Sequence, residues 1–378
     1  MKQGYRKLGD FIRQVDDRNK KLITKNVLGI NIDKHFMPSV ANVIGTDLSK
    51  YKLISKNRFA CNPMHVGRDE RLPIALYTAE EPSIVSPAYF MFEIVDIETL
   101  NPEYLMMWFR RPEFDRECWY YTDGSVRGGI TWDDLCRLEL PIPPMDKQIE
   151  IVKRYRNIEK RIELKKKIND NLEAQLSNFY HSIFDKPENI DFGIIADLGE
   201  VVGGATPSTN NPNHFCDDGI AWISPKDLTS TGLKFIYRGE ICISEQAYSS
   251  CSTKLMPAGT VLFTSRAPVG TVAIAMNDIC TNQGFKSVIP KDNIGTAFVY
   301  SFLKENKQLI ESHASGTTFM EVSGSVMKNI PAIIPKPDRA KQFTALCDPL
   351  FEIQRQNEIE IFKLQDLKHT IISSISSR

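Results

Sequence analysis

The residues apt for chemistry are scattered along this chain and form no catalytic signature. His214 and Cys216, in the run Asn213-His214-Phe215-Cys216, could be imagined as zinc ligands together with Cys242 and Cys251. The wide gap between Cys216 and Cys242 argues against such a site, because structural zinc is held by closely spaced pairs. Asn62-Pro63-Met64-His65 superficially has the outline of an Asn-Pro-Pro-aromatic motif, yet it lacks the third-position proline and the aromatic, and no glycine-rich cofactor loop precedes it. Glu70-Arg71 and Asp133-Asp134 fit no nuclease carboxylate-lysine cluster, and the six histidines stand singly. The chain has no GxxxxGK[ST], no GxGxxG after a strand and no HExxH. No metal site and no catalysis by this chain alone are expected. What remains are polar tips rich in Ser, Thr, Asn and Arg, above all Gly203-Gly204-Ala205-Thr206-Pro207-Ser208-Thr209-Asn210 and then Trp222-Ile223-Ser224-Pro225-Lys226-Asp227. Taken alone, such stretches are read as surface loops.

Two long periodic segments must position these tips. From Met145 to Phe184, Ile151, Tyr155, Ile158, Ile162, Leu172, Leu176, Phe179 and Ile183 alternate at spacings of four and three, with Lys165 and Asn169 in the two missing slots. That pattern is a coiled-coil seam with a polar middle. Asp146 can cap the start and Pro187 follows the end. A helix of about 40 residues is a rod of roughly 60 Å. From Asp338 onward, Phe343, Leu346, Leu350, Ile353, Leu364, Leu367 and Ile371 repeat the spacing around Asn357 and Glu360.

The blocks before each rod are duplicated as well. Leu8-Gly9 and Leu198-Gly199, Gly124 and Gly316, and Pro143 and Pro335 recur at an offset of about 190 residues. Tyr104–Phe109 matches Phe298–Leu303 as a short amphipathic helix, and Ile84–Phe92 lies beside Ile279–Val288 as β-type runs broken by turns. The expected fold is α+β: two tandem domains of short strands and helices, 1–144 and 187–336, separated by long helices over 145–186 and 337–378 with coiled-coil seams. If the second helix runs back along the first, Lys165 comes near Glu360 and Asn169 near Asn357. This polar layer should fix the register at some cost in stability.

Composition narrows the class. The 378 residues carry 47 basic and 47 acidic side chains, and each block is itself balanced, so nothing announces a polyanion partner. Eight scattered cysteines without a CxxC pair read as reduced thiols. The polar start and the absence of a long apolar run predict a cytoplasmic protein with no membrane partner.

The order block, rod, block, rod, joined to the Gly203–Ser208 loop, the Trp222–Leu228 run, Thr281-Asn282-Gln283-Gly284-Phe285 and the Pro-Ile-Pro-Pro lead-in to Gln148, resembles the specificity subunit of type I restriction-modification enzymes. In the first block the resemblance rests on Phe59–Met64, Ser86-Pro87-Ala88-Tyr89 and Gly124-Ser125-Val126-Arg127; the second lead-in departs by one extra residue before Gln342. The resemblance implies that each block is a target-recognition domain reading one half of an asymmetric bipartite sequence in double-stranded DNA. It implies further that the two long helices form an antiparallel coiled coil, which spaces the halves by about one DNA turn, roughly 34 Å, and docks two methyltransferase subunits, through which restriction and translocase subunits join. S-adenosylmethionine and ATP with magnesium would then sit on those partners, with no cofactor on this chain. The candidate DNA contacts are Asn62, Arg68, Ser86 and Arg127 in the first block. In the second they are Thr206, Ser208, Thr209, Asn210, Lys226, Arg266, Asn282, Gln283 and Lys286. Two other readings stay open: a stand-alone methyltransferase or nuclease with a cryptic site, and a purely structural coiled-coil scaffold.

Overall fold

The computed structural model describes residues 4–40, 44–64, 66–122, 128–266, 268–316 and 320–375. The chain divides into two compact units, one of Met1–Ile162 with Lys363–Arg378 and one of Glu163–Phe362. Each unit takes part of the central helix, Met145–Phe184, and part of the C-terminal helix, Pro337–Ser374.

In the first unit, strands Tyr5–Lys7 and Glu139–Pro141 pair antiparallel. The main sheet has the order Ile12–Gln14, Phe90–Ile94, Arg58–Cys61, Ile74–Leu76. A second sheet holds Val27–Ile30 parallel to Ser83–Val85, flanked by Phe36–Pro38 and Lys52–Ile54. Helix Pro102–Phe109 starts where the Asn101 side chain accepts from the amides of Glu103 and Tyr104, with proline at the first helical position. The expectation that it is amphipathic fails, since Tyr104 through Phe109 are all buried. It lies inside a core that also takes Val152 and Tyr155 of the central helix and Ile372 and Ile375 of the C-terminal helix. The lead-in motif has a physical reason. Gln148 is wholly buried, accepts from the Asn101 amide at 2.9 Å and donates to the carbonyls of Thr99 and Pro143, which ties the globular body to the first turn of the rod. Asp146 sits within that first turn and not at the cap, because the helix already begins at Met145.

The second unit repeats the plan. Ile190–Ile194 pairs with Pro331–Pro335, and the main sheet runs Gly199–Gly203, Lys286–Pro290, Val261–Phe263, Val272–Ala275, with Phe235–Ile236 added at the edge. The second sheet again contains a parallel pair, Ile220–Ile223 with Cys280–Thr281. Leu176, Tyr180, Ile183 and Phe184 of the central helix enter the core beside Phe343 and Cys347 of the C-terminal helix. Phe184 packs edge-on against Phe298 and Phe343 at 4.8 and 5.2 Å. Gln342 does not copy Gln148: it is exposed, and Ala340 is the residue buried at the start of this rod.

The helices run antiparallel in both units. In the first, Lys368 pairs with Glu159 at 2.9 Å and lies over the Tyr155 ring. In the second, Lys165 meets Glu360 at 2.6 Å and donates to Asn357 at 3.0 Å, and Asn357 donates to Asn169 at 2.8 Å. The layer extends beyond those four residues. Gln354 exchanges bonds with Asn169 and donates to Glu173, while Lys234, from the edge of the sheet, donates to Glu173 and to Gln354 at 2.9 Å each. Glu358 accepts the amides of Lys234 and Phe235, so this one segment is latched to both helices.

The seam on the central helix has Tyr155, Ile158, Leu176 and Ile183 buried and Ile151, Ile162, Leu172 and Phe179 partly so. On the C-terminal helix the phase differs from expectation. Phe343 and Leu364 are buried and Leu350 and Ile371 partly so, but Leu346, Ile353 and Leu367 are 39%, 46% and 48% exposed. The buried stripe instead runs through Cys347, Gln354, Asn357 and Ile361, because this helix turns Phe343, Cys347 and Phe351 onto the globular core as well as facing its partner. Apolar residues on both alternative stripes made the phase ambiguous.

Two expectations follow from this packing. Phe343→Ala should destabilise the isolated chain by about 3–5 kcal/mol in urea unfolding, whereas Leu346→Ala or Ile353→Ala should stay within about 0.5 kcal/mol. Equal effects would contradict the packing. Replacing Lys165, Asn169, Asn357 and Glu360 together by Leu should raise the melting temperature. Glu173 behaves differently. Burial pushes its carboxyl up, but the ammonium groups of Lys234 and Lys304 outweigh burial and hold it at about 2, below its ordinary 4.5. A depressed carboxylate stabilises above the unfolded value, so this contribution, roughly 3 kcal/mol, should be lost as pH falls from 4.5 toward 2. Glu173→Gln should flatten that acid limb and destabilise the neutral protein by stranding Lys234, a buried charge. An unchanged limb would show that the pair does not form.

Candidate functional site

In the second unit, three loops meet at one end of the main sheet. After strand Gly199–Gly203 the chain passes Gly204, where a Cβ would lie 2.2 Å from the Thr281 carbonyl and 2.3 Å from that of Asn282. Only glycine lets this loop rest on the 281–284 turn. The Ala205 amide donates to Thr281, and Trp222 Nε1 donates to the Ala205 carbonyl. Thr206 then donates to Gln283 across the junction. The Asn282 carboxamide accepts the Gly284 amide at 2.8 Å, so it shapes the turn. Gly284 in turn receives the Ser265 amide, and Ser265 receives that of Val322.

Lys286 stands at the centre of this meeting. Its ammonium reaches Ser265 Oγ at 3.4 Å and both the Gln283 carbonyl and Glu321 Oε1 at 3.5 Å. Glu321 also pairs with Arg266 at 3.8 Å. These separations lie at or beyond the outer edge of good hydrogen bonds, so both cations are held loosely by the protein's own acceptors.

Of the sequence candidates, the structure therefore gathers Thr206, Arg266, Asn282, Gln283 and Lys286. Ser208, Thr209 and Asn210 lie exposed farther along the same loop, where His214 Nδ1 contacts the Ser208 carbonyl at 3.0 Å. Lys226 follows Pro225, which starts the helix Pro225–Thr231 beside Gly284, but its ammonium pairs with Glu240 at 2.9 Å on the surface, and that carboxylate holds the amine above its usual range. Cys216 and Cys242 are cross-strand neighbours.

The first unit is gathered less well around the residues named for it. Asn62 accepts the Met64 amide and Ser86 accepts that of Ala88, so both shape turns. Arg68 falls in the short helix Val66–Asp69 with its side chain outside the described residues, and Arg127 lies outside them altogether. Sequence reasoning missed the charged group that joins the equivalent loops. Lys52, 7% exposed, donates to the Tyr89 carbonyl at 2.6 Å and pairs with Asp16, which Arg18 also holds. It missed Ser265 and Glu321 in the second unit too. No periodicity marks such residues; only the loop positions of the duplicated frame could have pointed to them.

Two tandem repeats that share a four-stranded main-sheet frame and differ in the polar groups at its loop ends define an internally duplicated α+β protein. The chain belongs to the family of type I restriction-modification DNA specificity domains, whose family model matches residues 5–174 and 187–363. It is 40% identical over 189 residues to the MjaIX specificity subunit of a type I restriction enzyme from Methanocaldococcus jannaschii, covering 47% of this chain and 44% of that protein. The HindI specificity subunit of Haemophilus influenzae is 26% identical over 189 residues, covering 49% and 40%. The chain thus spans less than half the length of these curated relatives in the matched regions. A putative MjaX specificity subunit is 23% identical over 352 residues, covering 86% of this chain and 79% of that one. The fold is shared with the crystal structure of a type I restriction-modification S subunit from M. genitalium, at a TM-score of 0.57 and 13% identity over 98% of this chain and 95% of that one. Among the described residues, no helix is long and apolar enough to cross a membrane.

Gly204→Ala should cost about 1–3 kcal/mol through its collision with two carbonyls, whereas Gly203→Ala, whose nearest neighbour would be 3.9 Å away, should be far milder. Thermal unfolding of both variants checks this, and equal losses would mean that the loop does not rest on the 281–284 turn.

Proposed function

We propose that this chain is the DNA sequence-specificity subunit of a type I restriction-modification system. Each globular body reads one half of an asymmetric bipartite target in double-stranded DNA. The uninterrupted helices set the spacing and dock two methyltransferase subunits, through which restriction and translocase subunits join. The observation that carries this reading is the pair of equivalent frames with unlike side chains at their loop ends. A bipartite, asymmetric target asks for that arrangement, because base edges are discriminated by the identity of the groups presented to them. Family membership and the curated relatives support the same reading.

The chain itself performs no catalysis in this scheme. S-adenosylmethionine and ATP with magnesium belong to the partner subunits, as does any flipping of the target base, and the assembly works in the cytoplasm. The balanced charge fits a division of labour in which the methyltransferase subunits supply much of the phosphate-binding surface and this chain supplies base readout.

Methylome sequencing of cells with and without the gene should reveal a bipartite motif that disappears with it. Exchanging residues 1–144 for those of another such chain should change one half of the motif only. Inserting one or two turns into both rods should lengthen the spacer. A motif indifferent to the exchange, or methyl transfer by the purified chain alone, would overturn the assignment.

A further inference from the structure

Strand registers and matching backbone hydrogen bonds set particular positions of the two repeats in correspondence. In the main sheets Lys286 pairs at the end of its strand with Gly203, on the side where Phe90 opens the equivalent strand. The amide of Val322 donates to the Ser265 carbonyl just as that of Ile130 donates to Pro63, which equates Glu321 with Gly129 and Arg266 with Met64. The same frame places Gly324 where Trp132 stands. Phe90 and Trp132 meet edge-on at 5.9 Å, whereas a Cβ on Gly324 would lie 3.8 Å from the Lys286 side chain. Four equivalent positions are therefore Phe, Trp, Met and Gly in the first unit and Lys, Gly, Arg and Glu in the second. One frame carries an apolar set and the other a charged one.

This difference bears on what the charged set recognises. A DNA phosphate is the same at every base pair, so a cation that only grips the backbone would serve both repeats alike. A group that reads a base edge must differ between two repeats that read different half-sites. Lys286 and Arg266 are donors only, and the acceptor pair of a guanine edge, O6 and N7, is their matching partner in the major groove. Their present acceptors are poor. Lys286 is 14% exposed at its side chain and, among the described residues, its contacts are 3.4–3.5 Å long, while Arg266 has Glu321 at 3.8 Å. Glu321 is the one anion facing both among the described contacts. Resting on the proposed function, we infer that Lys286 and Arg266 form the guanine-reading pair of the second unit. Glu321 is the positioning residue that holds the two cations side by side until the base edge takes them.

The test uses the assembled complex with its methyltransferase subunits, a library of randomised target DNA, and sequencing of the methylated products. The wild-type complex should require guanine at one position in the half-site assigned to the second unit. Lys286→Gln should lower preference for that guanine by about tenfold or more, with the other half-site unchanged, while Lys286→Arg should keep it. Glu321→Gln should also weaken discrimination at that position while raising affinity for unrelated DNA, an effect that a merely structural role would not produce. Melting curves verify that each variant is folded. If Lys286→Gln lowers methylation uniformly without altering the motif, the lysine grips the backbone and the inference is wrong. It is equally wrong if the motif in that half-site contains no guanine. If the wild-type complex methylates no bipartite motif, the functional assignment fails first.

Discussion

The buried ammonium of Lys234 is the constraint on which the second unit is built. It sits at 4.0 Å from the Phe351 ring and 4.1 Å from that of Tyr300, with its charge answered by Glu173 of one helix and Gln354 of the other. Burial lowers its pKa to about 8 in spite of Glu173. The charge is costly where it stands, and its partners must be placed well to hold it. That requirement ties three elements at one point: the sheet edge, the central helix and the C-terminal helix. Sliding either helix by a turn would strand the lysine and break the adjoining Asn169–Asn357 and Lys165–Glu360 pairs together. Register is thus set by a few unforgiving polar contacts, while the apolar stripes around them supply most of the attraction but little discrimination between registers.

The duplication shows how one frame carries two chemistries. Both units retain four antiparallel strands in the main sheet, the parallel pair in the second sheet, the buried helix ahead of the last segments and the short two-stranded pairing that precedes each rod. These features rest on apolar burial and backbone hydrogen bonds, which tolerate many sequences. The loop ends do not share this tolerance, since their side chains are chosen by what they present outward. Gln148 shows that even the frame is not copied faithfully. Its role at the start of the first rod has no counterpart at Gln342, where burial of Ala340 serves instead.

Much of the frame was legible in the amino-acid sequence. Long-range periodicity announces the rods because a helix face repeats regardless of what covers it, and an offset shared by unrelated landmarks announces duplication without any knowledge of the fold. Given the antiparallel arrangement that the family resemblance implies, the pairing of Lys165 with Glu360 and Asn169 with Asn357 could be anticipated too, since the breaks in the two apolar seams then meet. The order of motifs led to the family.

What only the tertiary structure decided were matters in which chemically similar residues compete for one role. Leu346, Ile353 and Leu367 are as apolar as Phe343 and Leu364. Their exposure follows from the way the helix rolls toward a globular core that no local pattern describes. Asn62, Ser86 and Asn282 are polar residues near strand ends like Thr206 and Lys286, yet they spend their side chains on their own turns. Lys234, Lys52 and Glu321 drew no notice in the sequence because a lone charge in a balanced composition carries no signal. Their importance arises from distant segments that fold against them. The sequence by itself determined the periodic and repeated parts of this protein, which depend on residue type and spacing along the chain. The phase of the seam and the membership of the polar cluster at the loop ends depend on contacts between segments far apart in the chain, and only the folded structure decides those.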